Sequence, residues 1–152
     1  MKRTILSLIL ILVIQVQSVL AASPEEEARF VAAVKQSFEK HDVDALMALT
    51  YWGNVPDKFK ESGKKQYARD VSQTSRDIAL SAPNPKYPDV EWKDSDGVLY
   101  RSNLPVVKQL KITFVSGAKI DTKIGSLKVR DAVYPVGEKD GRLYLLEPAP
   151  VK

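Results

Sequence analysis

Pro83-Asn84-Pro85-Lys86-Tyr87-Pro88 divides this chain into two halves of different character. Proline has no amide hydrogen for a helical ladder and pushes the residue before it toward extended backbone. Three prolines in six residues therefore end any helix that reaches them. Upstream, from residue 23 to about residue 82, apolar residues recur at helical spacing. Downstream, from residue 88 to 147, they read as strands. A run of helices followed by a run of strands predicts an α+β fold, with the N-terminal helices packed on a curved antiparallel sheet that forms a cone-like roll.

Immediately before the break, Tyr67, Val71, Thr74 and Ile78 fall on one side of a helix expected over Lys64 to Leu80. A short helical turn over Pro56 to Glu61 precedes it, stopped by Gly63. Further upstream, Asp42 or Asp44 can cap a second helix carrying Leu46, Met47, Leu49 and Thr50, with Gly53 as its stop. The first helix has the clearest start. Ser23 can cap, Pro24 suits the first helical position, and Glu25, Glu26 and Glu27 sit at the positive end of the dipole. Phe30, Val31, Val34 and Phe38 then share a face, and Lys40 and His41 close it.

After the break, residues 90–93 and 98–101 flank Asp94-Ser95-Asp96-Gly97, a hairpin signal. Leu110, Ile112 and Phe114 alternate with Lys111, Thr113 and Val115, so one face of that strand is buried, and Gly117 ends it. In the next strand, Leu127, Val129, Asp131 and Val133 share one parity and read as the apolar side. Lys128, Arg130, Ala132 and Tyr134 occupy the other, and Pro135 marks an edge or end. Glu138-Lys139-Asp140-Gly141 is a second turn, Leu143 to Glu147 the closing strand, and Pro148-Ala149-Pro150 the finish.

Residues 1–21 have the plan of a secretory signal peptide. Lys2 and Arg3 supply positive charge, Ile5 to Ile14 is almost wholly apolar, and Val19, Leu20 and Ala21 are modest or small. The stretch is short for a span of ~20 residues, and Gln15 and Gln17 would sit unpaired in lipid, so cleavage after Ala21 or Ala22 is expected over a retained anchor. The product is an exported protein, periplasmic or extracellular, with residues 22–152 as a single α+β domain. The chain has no cysteine, so its core holds without disulfides and thiol chemistry is absent. Lys2 and Arg3 carry half of the formal charge of +4, and the remaining lysines are scattered among acids. That pattern predicts no nucleic-acid partner.

Two stretches resemble the nuclear-transport-factor-2-like superfamily of cystatin-like α+β rolls. One is Phe30, Ala33 and Phe38 followed by Asp42-Val43-Asp44-Ala45-Leu46-Met47-Ala48-Leu49. The other is the hairpin from Tyr134 to Tyr144. Many members have a strand between the second and third helices, and here only Trp52 to Val55 could supply it. The superfamily hosts isomerases, dehydratases, polyketide cyclases and non-catalytic binding or assembly domains, so resemblance does not choose a function. Its catalytic histidine has no recognisable counterpart in this chain.

The candidate chemistry is sparse. His41, beside Asp42, reads as a helix-end residue. On the apolar parity of its strand, Asp131 would be partly desolvated with a raised pKa, and Tyr134 could donate to a developing oxyanion beside it. A bulge that turns Asp131 outward, or a structural pair with Arg130 or Arg142, is the plainer reading and the one preferred. Tyr144, Tyr51 and Tyr100 are alternative donors. Asp89, Glu91, Asp94 and Asp96 do not meet the spacing of a calcium loop, so no metal is expected. Phosphate-cradling glycine motifs are missing, so no cofactor is expected. Tyr51, Trp52, Tyr67 and Tyr144 are the expected lining of a pocket. The first functional reading is non-catalytic binding of a small apolar or aromatic ligand, or of an envelope partner. The alternatives are a cofactor-free isomerase or cyclase built on an Asp–Tyr pair, and a structural dimerisation module working as a homodimer.

Overall fold

The computed structural model describes residues 22–86, 91–115 and 129–151. Residues 1–21, expected to be a signal peptide, and Tyr87 to Val90, Gly117, Leu127 and Lys128 lie outside the described residues.

Helix α1 (Pro24–Glu39) starts as its sequence predicts, with the Ser23 hydroxyl accepting from the Glu26 amide at 3.2 Å. Phe30, Val34 and Phe38 form its buried row. The chain turns at His41, whose φ of +53 reverses its direction. Asp42 Oδ1 then accepts from the Ala45 amide at 2.9 Å and opens α2 (Val43–Ala48). A two-residue strand, β1 (Thr50–Tyr51), follows, slightly upstream of the 52–55 segment expected to serve.

Helix α3 (Asp57–Val71) differs from the sequence expectation at both ends. It begins in the stretch expected to be a separate turn and runs through Gly63. A Cβ built on Gly63 would lie 3.1 Å from Trp52 and 3.4 Å from Glu147, so glycine serves close packing here rather than termination. The helix ends at Val71, not Leu80. Ser72 caps the helix with αR backbone, Gln73 and Thr74 lead out of it, and Ser75–Ser81 is strand β2. Ile78 faces Ile112 and Leu80 faces Leu110, a two-residue period that the short helical count across Thr74 had concealed.

The remaining strands are β3 (Trp92–Lys93), β4 (Leu99–Ser102), β5 (Val106–Val115), β6 (Val129–Lys139), β7 (Arg142–Leu146) and β8 (Pro148–Pro150). They form two sheets. Sheet A has the order β1-β7-β6-β5-β2 and sheet B the order β3-β4-β8. The fold is α+β with a curved, open sheet, as expected. That sheet is mixed, since β1 runs parallel to β7. Asp94-Ser95-Asp96-Gly97 makes the β3–β4 turn, with Asp94 Oδ1 accepting from the amides of Asp96 and Val98. This carboxylate stabilises its own hairpin.

The helices cover one face of sheet A. Leu110, Ile112 and Phe114 of β5, Val136 of β6, and Leu143 and Leu145 of β7 meet Phe30, Val34, Phe38, Leu46, Tyr67 and Val71 there. Each such side chain contributes about 1.5–3 kcal/mol on leaving water. The parity expected for β6 is reversed. Arg130, Ala132 and Tyr134 stand opposite Phe114, Ile112 and Leu110 and share the covered face, whereas Asp131 stands opposite Thr113 on the outer face. Pro135 lies inside β6, at the last position before pairing with β7 begins, so one flank of the strand is still open there.

Sheet B packs against the start of α3. The rings of Trp92 and Tyr100 stack at 4.6 Å, and Phe59 meets both edge-on. Leu104 and Leu146 close over Gly137, where an added Cβ would lie within 3.0 Å of both side chains.

Candidate functional site

Beneath α3 lies a chain of polar groups set into the core. Thr50 Oγ1 donates to the Leu46 carbonyl at 2.9 Å and lies 2.9 Å from the Tyr67 hydroxyl, which is 3.4 Å from Glu147 Oε1. Burial pushes the Glu147 carboxyl up to about 7, despite the opposing hydrogen bond from Tyr67. Burial and the nearby Glu147 charge push the Tyr67 hydroxyl upward as well. One helical turn on, Asp70 is 1 % exposed and accepts from three donors. Gln66 Nε2 lies at 2.8 Å, Arg130 at 3.0 Å, and Tyr134 Oη completes the set. Arg130 lies over the Phe114 ring at 5.0 Å, so its guanidinium bridges the core to solvent. Buried charge is tolerated where such donors surround it.

A cleft of about 590 Å³ opens where the chain crosses from sheet B to sheet A. Ligand sites commonly have volumes of ~300–1,000 Å³, with an apolar lining and a few convergent polar groups. Leu104, Pro105 and Ala149 supply apolar surface, and Asn54, Arg101 and Asn103 supply polar groups. Arg101 is exposed and only 3.8 Å from Glu91, a loose pair. Asn103 Nδ2 donates to the Tyr51 carbonyl at 2.6 Å. Among the described residues, its Oδ1 is the one buried side-chain oxygen or nitrogen without a hydrogen-bond partner. Leaving such an acceptor unpaired costs about 1–3 kcal/mol, which a donor brought to it can recover.

The sequence candidates separate into different places. Asp131 is exposed on the outer face, held by Lys111 at 2.8 Å and Thr113 at 2.8 Å. Its hydrogen bond from Lys111 lowers its pKa, with Thr113 adding to the effect, the reverse of the expected shift. Tyr134 faces inward and pairs with Asp70 instead, so an Asp–Tyr pair exists with a different aspartate. Tyr51 and Tyr144 meet edge-on at 5.9 Å, with Lys139 Nζ 2.9 Å from the Tyr51 hydroxyl. Trp52 and Tyr67 belong to the other cluster. Trp52 Nε1 donates to the Met47 carbonyl at 2.7 Å, and its ring joins Glu147 against Gly63. None of the four aromatics lines the cleft. His41 is exposed, and its Nδ1–H donates to the Val71 carbonyl at the end of α3.

Glu147 and Asp70 were missed, although both left signals. Glu147 continues the inward parity of Leu143 and Leu145 in β7, and Asp70 lies three residues after Tyr67 on the same helix face. Arg101 and Asn103 have no periodic signature, because the cleft is made by a crossover between sheets. No family model, no curated protein and no solved structure matches this chain.

Proposed function

We propose that this protein is an exported, non-catalytic binding domain that holds a small organic anion bearing a hydrogen-bond donor. The carrying observation is a cleft lined by Arg101 and by Asn103, whose buried Oδ1 has no hydrogen-bond partner. The anionic end of the ligand pairs with Arg101, its donor meets Asn103, and its carbon skeleton rests on Leu104, Pro105 and Ala149. The sequence expectation is a small apolar or aromatic ligand; Arg101 and Asn103 in the lining favour one that also carries an anionic group and a donor. Both carboxylate–tyrosine pairs are engaged inside the core, Asp70 by three donors and Glu147 under α3, which favours binding over turnover. The charged, apolar and small-residue order of residues 1–21 supports export. Three helices followed by strands, with β1 between α2 and α3, supports placing the chain among nuclear-transport-factor-2-like rolls.

The test is an amide chemical-shift titration with N-acetylglycine and glycolate, each a carboxylate with one donor. Saturable shifts confined to 101–105 and 149–151, lost in Arg101→Gln with the fold intact, are expected. Shifts elsewhere, or none that saturate, overturn the reading.

A further inference from the structure

Strand β2 ends sheet A, and among the described residues it pairs only with β5. An open edge presents a row of unpaired amide and carbonyl groups, which folds usually blunt with proline, lysine or a bulge. The register irregularity of β2 and its two charges, Arg76 and Asp77, fall in its first three residues. Asp77 to Ser81 is regular, without proline or lysine. Helix α1 overhangs this edge and leaves a groove of about 540 Å³, with Ala28, Val31 and Ala32 on one wall and Ile78 on the other. Glu27 and Lys35 also line it, four residues on either side of Val31.

We propose that two copies of the chain pair along this edge, β2 antiparallel to β2 of the second copy, so that sheet A continues across a two-fold axis. Pairing centred on Ala79 sets Ile78 opposite Leu80 of the second copy on the covered face, an apolar cross-strand pair. The same axis, passing near Val31, brings Lys35 to Glu27 of the second copy, and the reverse contact follows by symmetry. Glu27 also pairs with Lys108 of β5 at 2.9 Å, so its carboxylate would be shared between Lys108 and Lys35 of the second copy. Ala28 and Ala32 are small and exposed, and they let the two α1 helices lie side by side. One axis satisfies the strand register and the helix charges together. That self-complementarity selects a second copy over an unrelated strand.

Sedimentation velocity of the purified chain, from micromolar to submillimolar concentration, tests this. A dimer that dissociates on dilution is expected, with β2 amides exchanging more slowly as concentration rises. The double variant Ala28→Arg/Ala32→Arg should be monomeric with an unchanged circular-dichroism spectrum and Tm. Lys35→Glu reverses two contacts and should weaken association roughly tenfold. A monomer at every concentration overturns the proposal, as does a dimer that the double arginine variant leaves intact. Protection of β2 amides that is independent of concentration also overturns it, because another segment would then cover the edge.

Discussion

Glu147 shows how one buried side chain sets a pH dependence. With its pKa at about 7 in the fold against an ordinary 4.5, the folded chain holds a proton that the unfolded chain releases. Protonated, Glu147 can donate to Tyr67, which can donate to Thr50, which donates to the Leu46 carbonyl, so every group in the row is satisfied. Its contribution to stability is therefore whole below about pH 4.5 and is lost as pH rises through about 7, a change of up to about 3 kcal/mol. Glu147→Gln should match the wild type at pH 4.5 and exceed it by up to that amount at pH 8, measured by urea denaturation. A constant difference across pH would refute the assignment. Asp70, by contrast, accepts hydrogen bonds from three donors. Asp70→Ala should cost about 1–3 kcal/mol by leaving Tyr134 without its acceptor while Arg130 turns to water, and Tyr134→Phe a similar amount, read from the same denaturation curves. Asp131→Asn, on the outer face, should leave the denaturation midpoint where it is.

At the scale of elements, β6 is the instructive strand. Its sequence alternates, but both parities carry apolar and charged residues, so alternation without a partner does not say which side is buried. Pairing with β5, whose Leu110, Ile112 and Phe114 can only face the helices, makes Arg130, Ala132 and Tyr134 inward and Asp131 outward. Gly137, farther along β6, joins sheet A to the crossover that walls the cleft. Gly137→Ala should force Leu104 and Leu146 apart and cost about 1–3 kcal/mol, seen as a lowered Tm. In a Leu146→Ala background most of that cost should vanish, because the obstructing methyl groups are gone. Equal costs in both backgrounds would mean that the strain lies elsewhere.

At the scale of the whole molecule, two sheets and a helical layer make up the described residues. If export is right, intact mass of the exported protein should begin at Ala22 or Ser23, whereas a retained Met1 would indicate an anchor. The caps of α1 and α2, the Asp94–Gly97 hairpin, the buried face of β5 and the α+β class were all legible in the sequence. Each depends on neighbours a few residues away, such as a side chain reaching its own helix amides or alternation within one strand. The end of α3, the side of β6 that is buried and the cleft were settled only by tertiary structure. Strand register, the close approach of Glu147 and Trp52 to Gly63, and the crossover that leaves Asn103 Oδ1 unpaired all arise between segments far apart in the chain. Local periodicity carries no information about which distant surface a residue will meet.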